Sequence, residues 1–166
     1  MKLYIGLGNP GKKYESTRHN LGHVVISKLA GTLTNSPKLS AQILKDKNTI
    51  FAITNEYMNN SGIAVAKIAN YYKIVPENIF VIHDDLDLPA GEWKIQFDRG
   101  PAGHNGVIST VQHLGTQAIN RIRIGIGHPQ NNLPVEDYVL LPFTSKEKVL
   151  IEETIDKIVE DIRASI

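Results

Sequence analysis

At 166 residues, with 42% apolar and 21% charged side chains and a formal net charge of +1, the chain has the size and composition of one globular domain, 1–166, and not of a disordered protein. It has no cysteine, which excludes disulfides, thiol nucleophiles and Cys-ligated zinc. No stretch is apolar for long enough to span a bilayer, and the first strand begins too close to the N-terminus for a signal peptide, so a soluble, cytoplasmic protein is expected.

The first apolar run, Leu3 to Gly6, reads as a strand that ends in the glycine turn Gly6-Leu7-Gly8-Asn9-Pro10-Gly11. A helix is predicted from Asn20 to Ala30, stopping at Gly31, with Gly31 to Lys38 as a loop. Gln42 to Lys45 and Thr49 to Ile53 read as a hairpin, and Ser61 to Tyr72 as a helix with Asn59 and Asn60 before it as caps. Strands follow at Ile79 to His83 and Trp93 to Phe97, then a helix from Gly106 to Leu114 and a strand from Arg121 to Ile126. The last helix opens on the capping-box pattern Thr144-Ser145-Lys146-Glu147 and carries Ile151, Ile155, Ile158, Val159 and Ile162 on one stripe. Such alternation predicts an α/β fold: a twisted, mostly parallel (mixed) sheet with helices on both faces and sites at the carboxyl ends of its strands.

Gly6, Gly8 and Gly11 have the spacing of a dinucleotide-binding fingerprint. Pro10 stands where the pyrophosphate-binding helix should begin, and no ribose-binding acid lies in the region Gly31 to Ser36, so the glycines read better as a sharp turn that aims Asn9 into a cleft. His19 and His23 have the spacing of a zinc-protease helix, but Asn20 stands in place of the acid and no third ligand is near, so no metal is expected. At a helix start the dipole disfavours an imidazolium, which leaves a neutral His19 free to accept a proton from water, with His23 an ordinary core-edge or surface histidine. In His83-Asp84-Asp85-Leu86-Asp87, Asp84 lies nearest the strand end and is best placed to fix an imidazole's tautomer. Asp85 and Asp87 read as loop, cap or turn groups. Asn9, Asn59 and Asn105 each sit at a strand-to-helix junction, where an amide can grip a peptide or steady an oxyanion. Asn105 also has the simpler reading of a helix cap. Arg121 and Arg123 share one strand face, suited either to a phosphate or to structural ion pairs.

Taken together, Gly6-Leu7-Gly8-Asn9-Pro10-Gly11, Thr17-Arg18-His19-Asn20, Tyr57-Met58-Asn59-Asn60-Ser61-Gly62, His83-Asp84-Asp85-Leu86-Asp87-Leu88-Pro89, Gly103-His104-Asn105-Gly106 and Arg121-Ile122-Arg123-Ile124-Gly125-Ile126-Gly127 resemble bacterial-type peptidyl-tRNA hydrolase over nearly the whole chain. The resemblance implies a monomer without metal or other cofactor that cleaves the ester between a peptide and the terminal ribose of tRNA. It implies His19 as catalytic base and Asp84 as its partner, with Asn9, Tyr14, Tyr57, Asn59, His104 and Asn105 around the peptide and acceptor-end channel. The chain departs from the family pattern at Asn55 and Glu56, at Ile108 and Gln96 where basic residues are usual, in the loop Gln130 to Val135, which is poor in basic residues, and at Ile166, short of the usual tail. Lys94, Arg99, Arg121 and Arg123 are left as candidates for tRNA phosphate contact. Two other readings stay open: a non-catalytic RNA-binding module of the same fold, and a dinucleotide-binding oxidoreductase.

Overall fold

Alternation within single strands decides the layering. In β1 (Lys2–Gly6), Leu3 and Ile5 join one apolar cluster and Tyr4 the other, because successive side chains point to opposite faces. The same division runs through β4 (Thr49–Thr54), where Ile50 and Ala52 oppose Phe51, and β5 (Ile79–Asp85), where Val81 opposes Ile82. Both faces of the sheet therefore need cover. The computed structural model, which describes residues 1–166, provides it with helices on each side.

One face is packed by α2 (Ser61–Tyr72) through Ala64, Val65 and Ile68, and by Val107 of α3 (Asn105–Leu114). The other is packed by Val25, Ile26 and Leu29 of α1 (Leu21–Ala30) and by the predicted stripe of α5 (Ser145–Ser165), all five of whose residues are buried. The capping box of α5 forms as expected: Thr144 Oγ1 accepts from the Glu147 N–H, and Glu147 accepts from the Thr144 N–H. A short α4 (Val135–Tyr138) precedes it.

With β2 (Thr34–Ser36), β3 (Ala41–Asp46), β6 (Trp93–Phe97) and β7 (Asn120–Gly125), the sheet has seven strands in the order β2-β3-β4-β1-β5-β7-β6. The central four are parallel, while β2 on β3, β3 on β4 and β6 on β7 pair antiparallel, which makes the sheet mixed as expected. The chain leaves β1 between its two parallel neighbours β4 and β5, so the turn after β1 and the end of β5 open onto one crevice. No helix is long and apolar enough to cross a membrane.

Four local expectations need correction. The predicted loop Gly31 to Lys38 contains β2, a polar edge strand without the apolar alternation that marks the others. Asn60 stands at the N-cap of α2, but its side chain makes no capping hydrogen bond. The cap of α3 is His104, not Asn105. Asp84 and Asp85 belong to β5 itself, because β7 continues pairing with it through Asp85 and Gly125 after β1 has ended at Gly6 and Ile82.

The glycine turn has a packing purpose. A Cβ on Gly6 would overlap the Gly22 carbonyl of α1, and one on Gly22 would overlap the Ile82 carbonyl, so backbone lies directly on backbone where α1 crosses β1 and β5. Neither partner is a side chain that can turn aside. Gly6→Ala is expected to destabilise the fold by about 3 kcal/mol, the upper range for overpacking, read as a lowered denaturation midpoint.

Candidate active site

The turn Arg18–Asn20, directly before α1, is held from several sides. The backbone N–H of His19 donates to the Val139 carbonyl and that of Arg18 to the Leu141 carbonyl. Arg18 is buried, stacked over Tyr138, and its guanidinium donates to the Leu141 and Pro142 carbonyls and pairs with Glu147 at 2.8 Å. On the other flank, Asn20 clamps the turn: its Nδ2 donates to the Asn9 carbonyl and its Oδ1 accepts from the Asn9 N–H, both at 2.9 Å. Sequence reasoning missed both of these supports. Arg18 carries no pattern that reveals a buried role, whereas Asn20, directly after the candidate base, was the available signal.

So fixed, His19 brings Nδ1 to 3.0 and 2.9 Å from the two oxygens of Asp84. His104 approaches the same carboxylate, Nε2 to Oδ1 at 2.9 Å. Asp84 is 2% exposed. Burial opposes its charge, but the His19 and His104 imidazoles, both hydrogen-bonded to it, outweigh that cost and hold its carboxyl below the usual range. An ionised Asp84 accepts from both rings.

The tautomers follow from the other ring nitrogens. His104 Nδ1 accepts from the Val107 N–H as the cap of α3, so its proton lies on Nε2, facing Asp84. His19 donates through Nδ1 and makes no further hydrogen bond, which leaves the Nε2 lone pair unengaged. His19, Asp84 and His104 also lie close enough together to suggest a metal site. The Val107 contact argues against it, since a ligating His104 Nε2 would have to give up the proton that the cap places there.

A cavity of about 410 Å³ opens on this group, lined also by Asp85, Asp87, Asn105, His128, Glu136 and apolar Leu86 and Val139. Asp85 corrects the expectation of a loop group: it is buried, accepts from the Asp87 N–H and pairs with Arg123. Asp87 meets His128 at the exposed rim. Asn105 lines the cavity, whereas Asn9, Asn59, Tyr14 and Tyr57 lie outside its lining. Asn9 is nevertheless oriented: its Oδ1 accepts from the Met58 N–H at 2.8 Å, leaving Nδ2 uncommitted, and Met58 packs where Gly106 leaves room at the start of α3. Tyr14 and Tyr57 meet edge to face at 6.3 Å, with Asn59 exposed near by in the chain.

His23 is the core-edge residue expected: burial lowers it to about 4, and its ring lies against Gly8 with Nε2 on Thr54 Oγ1. The proposed phosphate contacts at Arg121 and Arg123 need correction. They are 1% and 4% exposed, on the sheet interior. Arg123 donates to Asp85 of β5 and Gln96 of β6, and Arg121 donates through Nη2 to the Gly100 carbonyl while its buried Nε and Nη1 have no partner, so both side chains are enclosed by the sheet and the loop after β6 and do not face solvent. Lys94 remains exposed and Arg99 half-buried.

Residues 3–166 match the profile of the family described as Peptidyl-tRNA hydrolase. This chain belongs to the peptidyl-tRNA hydrolase family. It is 44% identical over 164 residues to the peptidyl-tRNA hydrolase of Francisella tularensis, covering 94% of this chain and 86% of that protein. With the Aliarcobacter butzleri peptidyl-tRNA hydrolase the identity is 46% over 168 residues, covering 99% and 91%. The crystal structure of peptidyl-tRNA hydrolase from Acinetobacter baumannii superposes with a TM-score of 0.90 at 35% identity, covering 98% of this chain and 87% of that one. Membership in the family disfavours the oxidoreductase reading, and the geometry gives a reason: the His23 ring lies against Gly8, the second glycine, where a pyrophosphate would have to approach.

Proposed function

We infer that the protein hydrolyses peptidyl-tRNA at the ester joining the peptide to the terminal ribose, with His19 as general base and Asp84 as the group that orients it. One observation carries the reading: an imidazole tied through Nδ1 to a buried carboxylate, with Nε2 unengaged at a cavity. In that state Nε2 accepts a proton from water as the oxygen attacks the ester carbonyl. Charge develops on the carbonyl oxygen beside the N-terminus of α3, where the Asn105 side chain and free backbone N–H groups are suited to receive it. Collapse breaks the bond to the ribose oxygen, which takes the proton back from Nε2 and leaves as a hydroxyl. Water has then been divided between the two products, and His19 is neutral again. A ribose with a neighbouring hydroxyl is a far better leaving group than an amine, so no covalent nucleophile is needed.

Asn9, through its uncommitted Nδ2, and Asn59 serve the peptide and acceptor end, and the Tyr14 and Tyr57 rings offer faces on which unpaired bases can stack. The protein acts as a monomer in the cytoplasm. The substrate's phosphates are met by the exposed Lys94 and by Arg99. Hydrolysis of an N-blocked aminoacyl-tRNA over a salt series tests this: Lys94→Ala should raise KM several-fold at low salt, leave kcat unchanged and reduce the slope of log(kcat/KM) against log salt by about 1. An unaltered slope would remove Lys94 from the interface. RNA binding without ester cleavage would instead favour the non-catalytic reading.

A further inference from the structure

His83 is the third imidazole around Asp84, and the mechanism above does not use it. It is 1% exposed, and its Nδ1 lies 2.7 Å from the Asp84 carbonyl oxygen. That carbonyl has lost its strand partner. In a parallel ladder alternate residues face the same neighbour, and the Ile82 carbonyl accepts from the Leu7 N–H at the end of β1. The Asp84 carbonyl points the same way two residues later, past the last β1 pair, where no strand follows. A buried carbonyl left without a donor is costly, and the His83 ring supplies the donor at the residue that carries the carboxylate. The same ring packs at 4.7 Å against His104, inclined by 63°.

We propose that His83 is a positioning residue, fixing the Asp84 peptide through its carbonyl and the His104 ring by contact, so that the carboxylate is presented to His19. The role asks for a neutral ring with its proton on Nδ1. The surroundings supply it: burial foremost, then His104 and the Arg121 guanidinium, disfavour the imidazolium, while Asp84 pulls the other way and does not prevail. A phenylalanine would fill similar space without the donor, and an asparagine would keep an N–H without the contact to His104.

The proposal rests on the hydrolase reading, so the His19→Ala protein is assayed in parallel. Loss of hydrolysis there upholds that reading whatever His83 does. His83→Phe is expected to lower kcat about tenfold with KM within twofold, the signature of a misaligned reacting group. His83→Asn should recover part of that loss. Folded His83→Phe protein with kcat within twofold of the unaltered enzyme would overturn the proposal, as would a change confined to KM. Nitrogen NMR of the unaltered protein gives a readout that does not depend on either variant folding. The His83 ring should stay neutral from pH 5 to 8 with its proton on Nδ1, and a ring protonated on Nε2 in that range would refute the assignment.

Discussion

Replacing His19 by alanine is expected to lower kcat for peptidyl-tRNA by about 10³-fold, within the range that a positioned general base contributes, while KM changes little. The size follows from how completely this side chain owns its role. Among the residues lining the cavity, the His104 nitrogens are both engaged, one with Asp84 and one with the Val107 N–H, and His128 sits at the rim on Asp87. Asp84 already accepts from two imidazoles and cannot take a water proton without giving one up. No other neutral nitrogen is both held and free. The backbone of His19 is secured independently of its ring, through Val139, so the alanine protein should fold normally. Single-turnover release of an N-acetylated amino acid from tRNA measures the effect, and a loss smaller than tenfold would show that another group activates the water.

Much of the fold was legible because the apolar pattern was locally consistent. Strand alternation in Leu3-Tyr4-Ile5 and the stripe from Ile151 to Ile162 each specify which side is covered, and the structure covers both. The edge strand Thr34–Ser36 escaped because a polar strand paired on one side has no such pattern. The meeting of His19 with Asp84 could be anticipated from the rule that strand ends in an open α/β sheet gather at one crevice. What the rule could not give is the rest of the contact set. Arg121 and Arg123 alternate with Ile122 and Ile124, as solvent-facing residues would, yet Asp85, Gln96 and the Gly100 carbonyl, all remote in the chain, turn that face into a polar interior. Gln96 shows the logic of one departure from the family pattern: a neutral acceptor suits a buried Arg123, where a basic side chain would add a further cation beside Arg123 and Arg121. His104 was expected to border the channel, but its function as helix cap, which sets its tautomer, depends on where α3 begins to within one residue.

That fixed tautomer determines what happens when Asp84→Asn is made. The amide keeps one oxygen acceptor, at the position that His104 Nε2 approaches at 2.9 Å, and puts an NH2 donor in place of the other oxygen, which lies 2.9 Å from His19 Nδ1. His104 cannot change tautomer without facing the Val107 N–H with a second N–H, and therefore keeps its proton on Nε2 and claims the oxygen. The NH2 group then faces His19 Nδ1, which must become the acceptor, and the proton of a neutral His19 moves to Nε2. The base is present but turned off, since the nitrogen nearest the cavity no longer has a lone pair to offer. The expected loss in kcat is about 10³-fold, close to that of His19→Ala, and the double variant should be little worse than either single one because both act on one unit. Asp84→Ala separates orientation from tautomer control: without the donor that enforces the wrong form, His19 regains access to its basic tautomer for part of the time, so Asp84→Ala should retain more activity than Asp84→Asn. The reverse order, with both proteins folded and His104 still capping α3, would show that the amide still holds His19 in its basic form and would overturn the tautomer argument, whereas equal losses would show that the carboxylate acts mainly through its charge.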